Sequence, residues 1–270
     1  MLPTIQPFCV SITGADDNVR IEDLIALGRI YPFVEWGILH FPEKEGTPHN
    51  PTFEWRSECA ARCRQHRVRS ALHLCISQTF RMLLARQEEI SFFYELRQYG
   101  RVQANLNGRE RAFSHSELID IYQSLLAHDV PLILQYHEGS AYAIDSLLAA
   151  LATTSISPPQ RVSVLFDASC GKGKSPHAWE KPYSVGNIAI DTGYAGGVSP
   201  ENIGPVLDAV AQAVSGSRTV PHRYWIDMQS GVRTQGRFDI GKVERVLRVV
   251  ASRLATFAPM VANAVIGKKN

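Results

Sequence analysis

The stretch IAIDTGYAGGVSPENIGPVLDAVAQAV, Ile188 to Val214, reads as one strand, one turn and one helix. The run 186–193 is apolar enough for a buried strand, and the apolar spacing after Glu201 has the helical period. Between them stand two adjacent glycines, Gly196 and Gly197, followed by Ser199 as a helix N-cap, Pro200 at the first helical position and Glu201 in the first turn. A glycine turn feeding a helix N-terminus offers free N–H groups to an anion such as phosphate. A tight, well-capped connection is the plainer alternative, and on this stretch alone both stay open.

The same strand–turn–helix grammar repeats along the chain. Strands are expected at 7–13, 33–41, 70–76, 100–107, 131–138, 161–168, 186–193 and 223–229. Helical periodicities such as IEDLIALGRIY, EWRSECAARCRQHR and KVERVLRVVASRLATF fill the intervals, and RMLLARQEEISFFYELRQ reads as one helix. Eight βα units in 270 residues predict an α/β protein, a single (β/α)8 barrel over 1–270. The weakest unit follows Asp167, where ASCGKGKSPHAWEKPYSVG reads as a long loop with at most a short helix.

Composition narrows the function classes. The chain is 45% apolar and 20% charged with a net charge of +2, and its acids and bases are interleaved. No basic stripe for nucleic acid is present, and no apolar run reaches the roughly 18 residues of a membrane span. The N-terminus lacks the charged and apolar regions of a signal peptide, so a cytoplasmic protein is expected. Five cysteines, at 9, 59, 63, 75 and 170, form no CxxC pair, which favours reduced thiols; Cys59 and Cys63 sit one turn apart on a shared helix face. HxH and HExxH spacings are absent, so neither a metal nor another cofactor is expected.

In such barrels the site lies at the carboxyl ends of the strands. Polar residues gather there: Ser11, Thr13, His40, His73, Asn105, Asn107, His137, Glu138, Asp167, Asp191, Asp227 and Gln229. Buried polar groups need partners, so this ring points to a wet pocket more than to a dry core.

AGGVSPENI (195–203), IDMQSGVRTQGRFDIGKVERVL (226–247) and VLFDASCGKGKSPHAW (164–179) resemble the seventh, eighth and sixth strand regions of phosphoribosylanthranilate isomerase. SITGADD (11–17), VEWGILHFPEKEGTP (34–48) and VQANLNG (102–108) fit that family more loosely. The resemblance implies a small phosphorylated metabolite held by Gly196, Gly197, Ser230 and Gly231, with Gly171 and Gly173 in a loop closing nearby. It implies an Amadori-type aldose–ketose rearrangement in which Asp167 is the general acid.

Two departures bear on the rest of the site. The family's base is a cysteine on strand one; here Val10 takes that place, and Cys9, one residue earlier, is expected to point away from the barrel interior as a buried structural thiol. His137 is a replacement candidate, as are His73, Glu138, Asp191 and Asp227. After strand two the family carries an arginine that can pair with a substrate carboxylate, whereas this chain has His49, partly charged near neutrality and without the bidentate fork. His49, Asn105, Asn107 and Asp191 are the candidates to meet the remainder of the substrate. Asp16 and Asp17 read as an acidic opening of the first helix.

The leading expectation is an isomerase-type enzyme acting on a related phosphorylated substrate. The alternatives are a non-catalytic phospho-metabolite binder or sensor, and a barrel lyase or aldolase using Lys172 or Lys174. Partners beyond the metabolite are limited to a second copy of the chain, as a homodimer; no nucleic acid or membrane partner is expected.

Overall fold

The computed structural model describes residues 6–75, 78–87, 90–105, 113–153, 161–167, 174–216 and 222–255. Eight parallel strands close into a barrel in chain order: β1 (Cys9–Thr13), β2 (Val34–His40), β3 (Arg69–Cys75), β4 (Arg101–Asn105), β5 (Leu132–Tyr136), β6 (Val162–Phe166), β7 (Asp191–Ala195) and β8 (Tyr224–Met228), with β8 pairing back onto β1. Helices α1 (Ile21–Ile30) and α2 (Phe53–His66) follow β1 and β2, and α3 (Gln78–Ala85) and α4 (Ile90–Leu96) both follow β3. Then come α5 (His115–Ala127), α6 (Ala141–Thr153), α7 (Ile203–Ser215) and α8 (Ile240–Ala255). This is the (β/α)8 barrel the repeating pattern predicts, with three corrections to its elements.

The single helix expected over 81–98 is two: Arg86 adopts a left-handed φ of 52° just after α3, which ends the helix. The seventh strand begins at Asp191, not at 186. The residues before it form a two-stranded hairpin, Ser184–Val185 against Ile188–Ala189, turning at Gly186 with a φ of 55°. Helix α7 begins at Ile203, three residues later than Pro200 suggests. Ser199 still acts at this end: its hydroxyl accepts from the Glu201 amide (3.3 Å) and its carbonyl from the amides of Asn202 and Ile203. No helix among the described residues lies between β6 and β7, matching the long loop expected after Asp167.

Strand alternation sorts the core. Val10, Ile12, Val34, Trp36 and Ile38 face outward into the helical shell, while Cys9, Ile133, Leu165 and Trp225 meet inside the barrel near its amino-terminal end. Burying each large apolar side chain of this kind contributes about 1.5–3 kcal/mol. The interior floor also holds a charged pair: Arg101 donates to both oxygens of Glu35 (2.5 and 3.0 Å) and lies 4.4 Å from the centre of the Trp225 ring. No helix among the described residues is long and apolar enough to cross a membrane.

Candidate functional site

The register Phe166–Tyr194 and Ala195–Asp227 sets Asp167, immediately after β6, and Asp227, on β8, at one level on either side of Ala195. Ala195 carries only a methyl group, and both carboxylates line a pocket of about 400 Å³ at the carboxyl ends of the strands. Asp167 is 5% exposed and accepts from the Gln135 amide at 2.9 Å. Asp227 accepts from the Thr13 hydroxyl at 3.0 Å. Burial raises the Asp227 carboxyl to about 7, helped by the negative charges of Asp167 and Glu35 and opposed by the hydroxyls of Thr13 and Ser11. A carboxyl so tuned can hold or release a proton near neutrality.

One side of the pocket is the glycine turn, Gly196, Gly197 and Val198, with Ser230 of the turn after β8 beside it. Two causes for the double glycine are visible in the backbone. Both residues have positive φ, 126° and 61°, and the chain after β6 crosses directly over them. A Cβ on Gly196 would stand 2.6 Å from the Lys174 carbonyl oxygen, and one on Gly197 would run into Ser175. Packing therefore accounts for both glycines whether or not an anion binds. Gly231 is likewise a packing glycine: a Cβ there would collide with the Val198 carbonyl, so the turns after β7 and β8 touch backbone to backbone. None of the described residues accepts a hydrogen bond from the amides of Gly196, Gly197 or Val198.

The opposite side joins three loops. Arg233, 8% exposed, donates to the carbonyls of Gly14 (2.7 Å) and Gly236 (2.8 and 3.0 Å) and lies 3.4 Å from the Asp16 carboxylate. Asp16 also accepts from the His49 amide at 2.8 Å, and the His49 Nδ1 lies 3.3 Å from the Gln229 side-chain nitrogen. Against the pull of Asp16, burial and the Arg233 charge lower the His49 value, which favours the neutral imidazole. Asp16 and Asp17 do not cap α1, whose N-cap is Arg20. They tie the loop after β1 to the loop after β2, Asp17 accepting from the Thr52 amide and hydroxyl.

The remaining candidates divide. His49, Gly196, Gly197, Ser230 and Asp167 line the pocket, and Gly231 supports it from behind. His137 follows β5, and its Nδ1 accepts from the Gly139 amide at 3.2 Å in the turn that leads into α6. Asn105 ends β4, 8% exposed, outside the residues lining this pocket. Asp191 is a correction: it opens β7 at the amino-terminal end, 3.6 Å from Arg223, so it lies at the other mouth of the barrel. The apolar residues Ile188 and Ala189 belong to the hairpin, not to β7, so the strand lies several residues later than the sequence suggests and its acid stands at its start instead of its end.

Cys9 is the second correction. Its side chain points inward, not outward, but at the floor, where Sγ accepts from Arg101 at 3.6 Å beneath the Trp225 ring. Burial, with the Glu35 charge, holds the thiol far above its ordinary range, which makes it a poor base. Asn107, Gly171 and Gly173, with Cys170 and Lys172, lie outside the described residues.

Sequence reasoning missed Arg233, Gln135 and the pairing of Thr13 with Asp227. Gln135 and Thr13 share the inward parity of their strands, a signal the sequence does carry. Arg233 has none, because only closure of the loops after β1 and β8 buries it.

No protein-family model and no curated protein matches the chain. Among solved structures, N-(5'-phosphoribosyl)anthranilate isomerase from Pyrococcus furiosus aligns at 12% identity over 91% of this chain and 99% of its own, with a TM-score of 0.48. Phosphoribosyl anthranilate isomerase from Thermococcus kodakaraensis aligns at 15% over 90% and 98%, with a TM-score of 0.46. A truncated 3-deoxy-D-arabino-heptulosonate 7-phosphate synthase from Thermotoga maritima aligns at 6% over 97% and 89%, with a TM-score of 0.51. By fold, then, the chain is similar to (β/α)8 barrel enzymes, with phosphoribosylanthranilate isomerases among the structures it resembles.

Proposed function

We propose that the pocket binds a phosphorylated sugar and that its two carboxylates carry out an intramolecular proton transfer of the aldose–ketose type. The observation that carries this reading is the facing pair Asp167 and Asp227 in one pocket with the turns after β7 and β8. Phosphate suits the glycine side, where backbone amides and the start of α7 favour an anion. The motif resemblance around 195–203 and 226–247 supports the same placement.

Asp227, raised to about 7, holds a proton near neutrality, so it donates to the sugar ring oxygen as the bond from that oxygen to carbon 1 breaks, and the Asp167 carboxylate removes the proton from carbon 2, next to the new carbonyl. This exchanges the role that the resemblance assigns to Asp167. Asp227 is restored by the carbon 1 hydroxyl proton released on ring opening and relays a proton from oxygen 2 to oxygen 1, while Asp167 returns its proton, after exchange with solvent, to carbon 1, so the rearrangement to the ketose balances.

The test is deuterium wash-in: the pure chain is incubated in heavy water with ribose 5-phosphate and other aldose phosphates, and the sugar is followed by NMR. Exchange at the carbon next to the carbonyl is expected, lowered about 100-fold or more in Asp167→Asn and in Asp227→Asn. Saturable binding with no exchange at any pH would favour a binder or sensor instead.

A further inference from the structure

Resting on the phosphate reading above, the charges around the pocket restrict the other half of the ligand. Three carboxylates stand at or just behind its wall: Asp167, Asp227 and Asp16. Among the described residues lining the pocket, Arg233 is the one permanently cationic side chain, and its guanidinium is already turned onto two backbone carbonyls and Asp16. The rim facing the glycine turn is therefore presented by His49 and Gln229.

Their contact favours a neutral imidazole. With the Gln229 amide nitrogen turned toward the ring, the His49 Nδ1 accepts and the ring proton is placed on Nε2. Protonating Nδ1 would set two donors against each other at 3.3 Å, beside a guanidinium. The groups facing His49 are Arg233, which opposes its protonation, and Asp16, which favours it but is engaged by the His49 backbone amide and by Asn18. Gly14, with a φ of 93°, keeps this rim closed up: a Cβ there would stand 3.0 Å from the Arg233 guanidinium and 3.4 Å from Gln229. At about 400 Å³ the pocket is at the small end of ligand sites, which span roughly 300–1,000 Å³.

We propose that this rim selects a sugar monophosphate whose non-phosphate half is neutral and hydroxylated, and that it rejects ligands carrying a carboxylate opposite the phosphate. An imidazole N–H and an amide satisfy hydroxyls, whereas a second anion would lose water to meet carboxylates already present.

Calorimetric titration of the full chain with inorganic phosphate, ribose 5-phosphate and 5-phosphoribonate tests this, since the last two differ at carbon 1 as aldehyde and carboxylate. The wild type is expected to bind ribose 5-phosphate about tenfold or more tightly than 5-phosphoribonate. His49→Gln, which stays neutral, keeps that preference, and His49→Arg narrows or reverses it. Equal or tighter binding of 5-phosphoribonate by the wild type, or an unchanged preference in His49→Arg, would overturn the inference while leaving the phosphate reading intact. If none of the three probes binds, inorganic phosphate included, the phosphate reading itself is overturned and the selection falls with it.

Discussion

The two ends of the barrel interior both bury charge, and they treat it in opposite ways. At the amino-terminal floor, Glu35 is held bidentately by Arg101, which is stacked against Trp225 and capped by Phe8 at 5.4 Å. At the carboxyl-terminal mouth, Asp227 is just as deep but has hydroxyls for partners and another carboxylate for a neighbour. A buried pair joined by two charge-assisted hydrogen bonds is fixed in one ionic state. A buried acid without a cation is poised between two states, and such groups cluster where chemistry is done. The contrast separates a charge that holds the fold from one available to a ligand.

The largest expected effect comes from breaking the floor. Arg101→Ala leaves Glu35 buried without its cation and strips the Trp225 ring of its cover, so denaturant unfolding should show a loss of about 3–5 kcal/mol. Asp227→Asn should do the reverse at pH 7. The folded chain keeps a proton on Asp227 that the unfolded chain releases above about pH 4, so wild-type stability is full below that pH and falls as pH rises toward 7. The fall amounts to at most about 4 kcal/mol, and unfolding curves between pH 4 and 8 should show the slope flattened in Asp227→Asn.

The smallest change sharpens the mouth alone. Gly236, with a φ of 77° and no heavy atom within 4 Å of an added Cβ, lines the pocket in the turn after β8. Asn and Asp tolerate that backbone comparably, so they differ mainly in charge. Gly236→Asp should weaken inorganic phosphate or ribose 5-phosphate about tenfold in a thermal-shift titration, with Gly236→Asn close to wild type.

The architecture is legible in the sequence because eight strand-like runs alternate with seven amphipathic stretches and one long loop, and the acids at the ends of β6 and β8 follow from it. Strand phase is less legible. A strand buried on both faces has no alternation to fix its start, which is why Asp191 falls at the opposite mouth from the expected one. Cys9 faces inward although the ungapped fit to the family sets Val10, an outward-facing residue, at the inward position. The double glycine shows a further limit. Its composition suggests an anion site, but the crossing of Lys174 and Ser175 over it is a tertiary fact that supplies a packing reason of its own. Arg233 reads as an ordinary loop arginine until Gly14 and Gly236 close around it.

The central claim is that Asp227 is a buried carboxyl, close to neutrality, in a pocket it shares with Asp167. Carbon-13 NMR titration of the aspartate carboxyls in the intact chain tests it most directly. One resonance titrating near pH 7, absent from Asp227→Asn and shifted downward in Asp167→Asn as its negative neighbour is removed, is the expected result. Titration of every aspartate carboxyl below pH 5 would contradict the account.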